Sequence, residues 1–249
     1  MNQGKFFGVG VGSGDPALVT IGAMQTIADT EVLMLPAKDR EDCRAYRIVS
    51  KACEAFGDLL SVFDLAKKEC IFEPFPMLTD ASEREEFHKS VAGKIANMLD
   101  AGKNVAFLTI GDPTVYATYG YVADILRQGG YETRIVSGVP SFCAAAGRLG
   151  IALGSGNEEI HIIPGNADLH EAILQSGTKV FMKTGKKLGA LKEELRRLSG
   201  QKAFQVYAVT NCGEENEEIA TGIDQIPDDW GYMSIIIVKE TEEGSENGK

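Results

Sequence analysis

The segment Asn104–Tyr116, NVAFLTIGDPTVY, constrains the fold of this chain more than any other. An apolar, β-branched run ends at Gly111-Asp112-Pro113, and a helical pattern begins directly after it. Such a continuously apolar run is typical of a strand in a parallel sheet that is covered on both faces. A strand, a glycine turn and a helix in this order put backbone N–H groups and a carboxylate where open α/β sheets bind small molecules.

A second turn of this kind, Gly12-Ser13-Gly14-Asp15-Pro16, follows the first predicted strand, Lys5–Val11. Its glycines suggest a dinucleotide-binding loop, but the G-x-G-x-x-G pattern fails in two registers and passes in a third only with Ala17 at its end. A pyrophosphate is bound by N–H groups with no anion nearby, whereas this loop carries a carboxylate and a proline without an N–H. The turn is better suited to a ligand with hydroxyls or a positive charge.

A purely structural role is the alternative for Asp15 and Asp112. Each precedes a proline, and aspartate followed by proline is typical of a helix N-cap and its first position. Capping is the favoured interpretation of a single Gly-Asp-Pro turn. Two such turns at the ends of neighbouring strands favour a ligand-binding role for Gly111-Asp112.

Apolar runs and helical periods alternate along all 249 residues, which predicts two consecutive α/β domains. We place the first domain at 1–113 and the second, with a more mixed sheet, at 114–239. The last ten residues, ETEEGSENGK at 240–249, contain no apolar side chain and are predicted to be a disordered acidic tail. The hydrophobic pattern predicts helices at Glu85–Ala101, Val115–Arg127 and Leu188–Leu198, among others.

Composition excludes several classes of function. The net charge of −11 disfavours nucleic acid as a partner. No apolar run is long enough to cross a bilayer, and the N-terminus enters strand-like sequence without a signal peptide. Five scattered cysteines without a C-x-x-C pair indicate reduced thiols in a cytoplasmic protein. The three histidines lack metal-ligand spacing, so no metal site is predicted, and no serine or cysteine nucleophile is apparent.

Four segments, in this order and spacing, resemble the tetrapyrrole methylase family, the class III S-adenosylmethionine-dependent methyltransferases. They are GVGVGSGDPALVTIGAMQTI (Gly8–Ile27), VAFLTIGDPTVYATYGYV (Val105–Val122), VSGVPSFCAAAGRLGIAL (Val136–Leu153) and the strand pair KVFMK with YMSIIIV (Lys179–Lys183, Tyr232–Val238). The resemblance runs from about Phe6 to Val238. It implies two α/β domains with an S-adenosyl-L-methionine site in the cleft between them, in a homodimer.

Within the family, the chain resembles the precorrin-2 C(20)-methyltransferase branch, which includes cobalt-factor II C(20)-methyltransferase. The segment FPMLTD (Phe75–Asp80), the run TIGDPTVYATY and the pair Met182-Lys183 carry this closer resemblance. It implies methyl transfer from S-adenosylmethionine to carbon 20 of a reduced polycarboxylate tetrapyrrole in cobalamin (corrin ring) biosynthesis.

The resemblance also implies site residues. The implied cofactor contacts follow four strands: Ile110, Gly111, Asp112, Val115, Pro140, Ser141, Met182, Asn211 and Cys212. The opening loop, including Gly12, Ser13 and Asp15, is implied to face the substrate and the cofactor methyl group. This loop departs from the family with Ser13 in place of a common proline. The third segment reads Ser-Gly-Val-Pro-Ser where Pro-Gly-Val-Ser/Thr-Ser is usual, which removes an N–H and a hydroxyl at Pro140 and makes Ser141 the stronger candidate.

The chemistry gives further candidates. An electron-rich carbon attacks a sulfonium methyl in line, so alignment and exclusion of water are the main requirements. Tyr116 is the candidate for positioning or proton handling, with packing between domains as its alternative. The carboxylates of the substrate require cations, for which we propose Arg40, Arg44, Lys183 and Lys186, although solvated loops would contain the same residues.

Three other functions remain open at this stage. The first is a methylase of the same fold that acts on another tetrapyrrole carbon or on a different substrate. The second is a nucleotide-binding dehydrogenase, which would bind NAD. The third is a module that binds the cofactor without turnover.

Overall fold

A computed structural model describes residues 3–57, 64–200 and 203–241. The chain divides into two compact units after Pro140. The first contains a five-stranded parallel sheet in the order β3-β2-β4-β1-β5. Its strands are β1 Phe6–Gly10, β2 Val32–Leu35, β3 Glu69–Phe72, β4 Val105–Thr109 and β5 Thr133–Val136, and its helices are α1 Ile21–Asp29, α2 Arg44–Phe56, α3 Ala81–Asp100 and α4 Tyr119–Gln128.

Helices cover both faces of the first sheet, and alternate residues of each strand point to opposite faces. On one face, Ala106 and Leu108 of β4 pack in a cluster that includes residues of α1 and α2. On the other face, Val105 and Phe107 pack in a cluster that includes residues of α3 and α4. The continuously apolar β4 is therefore a central strand of a parallel sheet, as predicted from its sequence.

The connections of the first sheet create a switch point between β1 and β4, which pair from Phe6↔Val105 to Gly10↔Thr109. From β1 the chain passes through α1 to β2, on the far side of β4. From β4 it passes through α4 to β5, on the far side of β1. The two loops leave adjacent strands toward opposite faces, and ligands of open α/β sheets bind outside the carboxyl ends of such strands.

The second unit has a mixed sheet in the order β6-β7-β10-β8-β9, in which β6 and β7 are parallel and the other pairs antiparallel. Its strands are β6 Ile160–Pro164, β7 Thr178–Met182, β8 Phe204–Thr210, β9 Glu218–Thr221 and β10 Ser234–Glu240, and its helices are α5 Ser141–Leu149, α6 Leu169–Leu174 and α7 Leu188–Leu198. The mixed character and the bounds of α7 agree with the sequence prediction. The leucine stripe of α7 is buried in the core of this unit.

Two helices begin at positions other than those predicted. Helix α3 begins four residues before Glu85, because the Asp80 carboxylate accepts hydrogen bonds from the N–H groups of Ser82 and Glu83 and so caps the helix earlier. Helix α4 begins four residues after Val115, because the turn that follows β4 continues through Tyr116, whose φ is +48°. A residue in this left-handed region cannot continue a right-handed helix.

The division of the chain differs from the boundary placed after residue 113. Strand β5 pairs with β1 over Phe6↔Thr133 to Val9↔Val136, so residues 114–140 belong to the first unit. Strand β9 was not predicted, since only Ala220 among its four residues is buried. Strand β10 extends to Glu240, whose carboxylate pairs with the buried Lys179, and the rest of the predicted tail, 242–249, lies outside the described residues.

Candidate functional site

The loops that follow β1 and β4 are joined by backbone hydrogen bonds at the switch point. Val11 N donates to Thr109 O at 3.0 Å, which continues the ladder one residue beyond the strands. Gly111 N then donates to Gly12 O at 2.6 Å, and Gly12 N donates back to Gly111 O at 3.3 Å. Both glycines have positive φ, +74° and +73°, a conformation that is readily available to glycine. The two predicted glycine turns are thus one connected structure.

The loop that follows β5 completes this edge of the sheet. A Cβ atom on Gly138 would lie 2.2 Å from Gly111 O and 2.6 Å from the carbonyl carbon of Gly10. A Cβ atom on Gly10 would lie 2.6 Å from both Gly111 O and Gly138 N. Since the obstructing atoms all belong to the backbone, the three strand ends can approach this closely only with glycine at these positions.

Asp112 joins the β4 and β5 loops through its side chain, which is buried and only 6% exposed as a residue. One oxygen accepts from Thr114 N at 2.8 Å and Thr114 Oγ1 at 2.5 Å, and the other accepts from Gly138 N at 3.0 Å. Burial opposes ionisation, but these bonds and one from Ser137 outweigh it and hold the pKa of Asp112 below its usual range. The carboxylate is therefore ionised and organises the loop around it.

Asp15 and Ser13 differ from Asp112 in their surroundings. The Asp15 carboxylate accepts from Ala17 N at 2.8 Å and caps the short 3₁₀ turn Pro16–Leu18, as the capping alternative requires. Ser13 lies between Gly12 and Gly14, both with positive φ, and is buried. Within the described part of the chain its hydroxyl has no hydrogen-bond partner.

Tyr116 follows this turn with a left-handed φ of +48° and a side chain that is 43% exposed. Partial burial raises its pKa, so the phenol is protonated at neutral pH and can donate a hydrogen bond. Ile110 is half-buried against the core of the first unit, and Val115 N donates to Asp112 O at 3.1 Å. Ile110, Gly111, Asp112, Val115 and Tyr116 thus occupy one short segment after β4.

Arg40 and Arg44 follow β2, whose carboxyl end lies at the same edge of the sheet beside β4. Arg40 lies over the Tyr46 ring at 5.5 Å from its centre and lines a shallow cavity of about 440 Å³ with Asp39, Glu41, Cys70 and Phe72. Arg44 is the first residue of α2. The two acidic neighbours of Arg40 reduce the positive potential that the cavity presents to an anion.

The predicted residues of the second unit lie mainly at one edge of its sheet. Strands β7 and β8 are both antiparallel to β10, so Met182-Lys183 and Asn211-Cys212 leave the sheet in the same direction. Met182 pairs with Ile235, which pairs with Val209 on its other side. The two chain exits are therefore about 10 Å apart, which is two strand spacings.

Left-handed backbone conformations mark these exits. Lys183 has φ +58° and Asn211 has φ +50°, and with Tyr116 they are the non-glycine residues of positive φ within 3–57, 64–200 and 203–241. This conformation is costly for residues with a Cβ atom and is concentrated at functional sites. All three coincide with residues that the sequence singled out.

Side-chain bonds hold the loop after β8 in place. Arg148 on α5 donates to both carboxylate oxygens of Glu217, with the shortest distance 2.6 Å, and Gly213 N donates to the same carboxylate at 2.6 Å. Burial alone would raise the pKa of Glu217, but these bonds outweigh it and lower the pKa. Asn211 Nδ2 donates to Asn216 O at 3.4 Å within the same loop.

The remaining predicted residues differ in exposure. Met182 and Cys212 are buried, Lys186 is exposed, and Lys183 Nζ lies 5.5 Å from the centre of the Tyr232 ring. Pro140 is the last residue of the first unit, and Ser141 is the first residue of α5.

Several residues that shape these loops were missed in the sequence. Thr114, Ser137 and Gly138 surround Asp112, and Arg148 and Glu217 fix the loop after β8. Thr114 follows the Asp-Pro pair closely enough for the Asx-type bond to be anticipated. The other contacts join positions 25 or more residues apart, and no local pattern identifies them.

Within the residues that the structure describes, no group of three or more His, Cys, Asp or Glu side chains could hold a metal ion. No helix of this part of the chain is long and apolar enough to span a membrane.

Comparison with known proteins agrees with the fold. The family model for tetrapyrrole (corrin/porphyrin) methylases matches residues 5–226. A protein of Methanocaldococcus jannaschii named "Probable cobalt-precorrin-2 C(20)-methyltransferase" is 30% identical over 94% of this chain and 96% of its own. The precorrin-2 C(20)-methyltransferase of a Sinorhizobium species is 24% identical over 94% of this chain and 95% of its own.

A solved structure of the same fold is the uroporphyrin-III C-methyltransferase of Thermus thermophilus complexed with S-adenosylhomocysteine. It superimposes with a TM-score of 0.67 at 20% identity, over 95% of this chain and 98% of that one. Together with the family match over most of the length, this confirms the fold and the family resemblance. The chain belongs to the tetrapyrrole (corrin/porphyrin) methylase family.

Proposed function

We propose that this protein transfers a methyl group from S-adenosylmethionine to carbon 20 of precorrin-2 or cobalt-factor II in cobalamin biosynthesis. The observation that carries the proposal is the end-to-end similarity to the Methanocaldococcus jannaschii protein, which covers 94% and 96% of the two chains. The two relatives named above share carbon 20 as their target and differ in whether cobalt is named. The proposal therefore includes both the metal-free and the cobalt-containing substrate.

Residues at the two sheet edges support binding of the methyl donor and of its substrate. A buried Ser13 hydroxyl without a partner among the described residues can meet a polar ligand atom, and the Asp112 carboxylate needs no ligand to satisfy it. Met182 and Cys212 offer buried, polarizable surface suited to an adenosyl group. When bound, S-adenosylmethionine supplies an electrophilic methyl group to the ring carbon of the substrate.

We assign the cofactor contacts to two groups of residues. In the first unit, the contacts are Ile110, Gly111 and Val115 in the segment after β4, together with Pro140. Asp112 belongs to the same segment and fixes its shape. In the second unit, the contacts are Ser141, Met182, Asn211 and Cys212. The left-handed backbone at Asn211 supports this assignment, because such strain is concentrated at functional sites.

The polycarboxylate substrate is assigned to Gly12, Ser13 and Asp15 in the opening loop and to four cations. Lys183 and Lys186 follow β7, and Arg40 and Arg44 follow β2. Lys183→Ala tests this part directly. We expect a higher KM for the tetrapyrrole with little change in affinity for S-adenosylhomocysteine, and unchanged tetrapyrrole affinity would remove Lys183 from the assignment.

Tyr116 is assigned to positioning the substrate by donating a hydrogen bond. Its raised pKa supports a donor role, since a phenol must first lose its proton to act as a base. Tyr116→Phe should lower kcat and leave cofactor affinity unchanged. An unchanged kcat would favour a packing role instead.

Calorimetric titration with S-adenosylhomocysteine, with NAD as the control, tests the cofactor class. We expect micromolar binding of the first and none of the second. Binding of NAD alone would contradict the proposal and favour a dehydrogenase.

Turnover is tested by incubating the protein with S-adenosylmethionine and either precorrin-2 or its cobalt complex. We expect a product heavier by one methyl group from at least one of them. Binding of S-adenosylhomocysteine without turnover of either would indicate a different substrate or a silent module.

We further propose that the protein is a homodimer in the cytoplasm. The reduced, scattered cysteines are consistent with that compartment. Light scattering should give twice the chain mass of 26.8 kDa, and a monomeric mass would contradict the assembly.

A further inference from the structure

Thr184, a residue with no role in the assignments above, lies in the turn that leaves β7. It is only 3% exposed, and its Oγ1 has no hydrogen-bond partner within the described part of the chain. A buried hydroxyl without a partner is destabilising, and such groups are rare enough in folded proteins to require an explanation.

The turn around Thr184 shares one feature with the opening loop, a positive φ on each side of the residue that carries the hydroxyl. Thr184 lies between Lys183 (φ +58°) and Gly185 (φ +43°), as Ser13 lies between Gly12 (φ +74°) and Gly14 (φ +130°). These two hydroxyls are the buried ones without a partner among the described residues. Each follows a strand closely at the edge where candidate site residues lie, which points to a ligand as the missing partner.

The backbone around Thr184 is tightly constrained on one side and open on the other. A Cβ atom on Gly165, after β6, would lie 2.1 Å from Lys183 O and 3.1 Å from Thr184 Cα. A Cβ atom on Gly185 would meet no atom within 4 Å. Open space therefore lies beside Gly185, the residue after Thr184, while the strand ends β6 and β7 fix the position of the turn.

Lysines flank Thr184 in the sequence, but two buried side chains near it are uncharged and suit a neutral ligand group. Met182, two residues before Thr184, is uncharged and buried, and so is Cys212 at the neighbouring exit of β8. A hydroxyl both donates and accepts, as do the edges of an adenine ring and a ribose. A carboxylate of the substrate would be better served by the exposed Lys186.

We propose that the Thr184 hydroxyl forms a hydrogen bond with the adenosyl group of the methyl donor. This inference rests on the proposed function. It adds Thr184, in the turn after β7, to the residues assigned to the cofactor, with its side-chain hydroxyl as the binding group.

Calorimetry with S-adenosylhomocysteine on wild type, Thr184→Val and Thr184→Ser tests the proposal. Valine keeps the volume and removes the hydroxyl, so we expect about tenfold weaker binding for Thr184→Val. Serine keeps the hydroxyl and should bind within about threefold of wild type. The ligand-free melting temperature of Thr184→Val should stay equal or rise, because an unpartnered buried hydroxyl is removed.

A second ligand locates the contact. 5′-Methylthioadenosine keeps the adenosyl group and lacks the amino-acid portion. Thr184→Val should therefore lower the affinity for this ligand by the same factor as the affinity for S-adenosylhomocysteine. A loss restricted to S-adenosylhomocysteine would overturn the adenosyl contact.

The failure of this inference is distinguishable from failure of the proposed function. Equal affinity of wild type and Thr184→Val overturns the inference alone, and so does a lower ligand-free melting temperature with unchanged affinity, which would indicate a structural hydroxyl. Absence of S-adenosylhomocysteine binding by wild type overturns both.

Discussion

The carboxyl edges of the two sheets are built by different means. At the first edge, the strand ends meet through glycine backbone, with Gly138 and Gly111 in contact and the Asp112 carboxylate bonded across them. At the second edge, Gly165 approaches the Lys183 carbonyl just as closely, but Lys183 and Asn211 adopt left-handed conformations, as Tyr116 alone does among the described non-glycine residues of the first unit. Glycine gives close approach without strain, whereas a left-handed lysine keeps a side chain at a strained position. The first edge therefore relies more on glycine backbone and a bonded carboxylate, and the second more on left-handed non-glycine residues, at a cost in stability.

The largest expected effect comes from breaking the glycine contact with Gly138→Ala. The added Cβ would lie 2.2 Å from a backbone oxygen, so the three loops must separate. We expect a loss of at least about 3 kcal/mol in the free energy of unfolding, measured by urea denaturation. Gly93→Ala in α3 is the control, because no atom lies within 4 Å of its Cβ and alanine favours a helix. Equal free energies of unfolding for Gly138→Ala and Gly93→Ala would show that the glycine contact does not hold the first edge together.

The next effect concerns Asp112→Asn. Asparagine can still accept from Thr114, but its NH₂ group would face the N–H of Gly138. We expect a loss of about 2 kcal/mol in the free energy of unfolding at pH 7. Asp15→Asn should change it by less than about 0.5 kcal/mol, since asparagine caps as well as aspartate.

The pH dependence of the same variant sharpens this prediction. Because the pKa of Asp112 is lowered in the folded protein, its stabilisation is present above its usual pKa and disappears as the pH falls through the folded value. The difference between wild type and Asp112→Asn should therefore narrow below about pH 4. A difference that stays constant down to pH 3 would contradict the ionised bond network.

At the second edge, Arg148→Ala should lower the free energy of unfolding by an intermediate amount. It leaves the carboxylate of Glu217, whose side chain is 10% exposed, without its bidentate partner. We expect a loss of between about 1 and 2 kcal/mol by urea denaturation, together with weaker S-adenosylhomocysteine binding as the loop loosens. Arg127→Ala is the matched control, because its partner Asp124 is 63% exposed. If both variants bind the ligand as wild type does, the ion pair does not support the site.

The smallest effect has the opposite sign. Lys183→Gly relieves a left-handed backbone that costs about 1–2 kcal/mol, partly offset by the greater freedom of glycine in the unfolded chain. We expect a net gain of about 0.5 kcal/mol in the free energy of unfolding, with weaker tetrapyrrole binding. Lys187→Gly, where φ is −93°, should only destabilise. A destabilised Lys183→Gly would show that no strain is stored there.

The sequence predicts best where local pattern determines structure. The apolar run of β4 and the leucine stripe of α7 follow from hydrophobic periodicity, which tertiary packing reinforces. The start of α4 was wrong because the turn conformation of Tyr116 overrides a helical pattern. The structural role of Asp112 could be anticipated only in part, since Thr114 is local whereas Gly138 is 26 positions away.

The candidate site shows the same limit. The segment after β4 was identified from its residues and the segment after β7 from the family resemblance, and the structure places both directly after strands. Arg148 and Glu217 are 69 positions apart, and nothing in the sequence around Thr184 indicates that its side chain is buried. Their contacts depend on how distant strands meet, which no single segment encodes.

The most direct test of the proposed function uses S-adenosylmethionine labelled with ¹³C in its methyl group. The protein is incubated with precorrin-2 and, separately, with its cobalt complex, and the labelled carbon of the product is located by NMR. The proposed function predicts a single labelled methyl group on carbon 20 with at least one of the two substrates. A labelled methyl group on any other ring carbon, or S-adenosylhomocysteine binding with no label in either product, would contradict it.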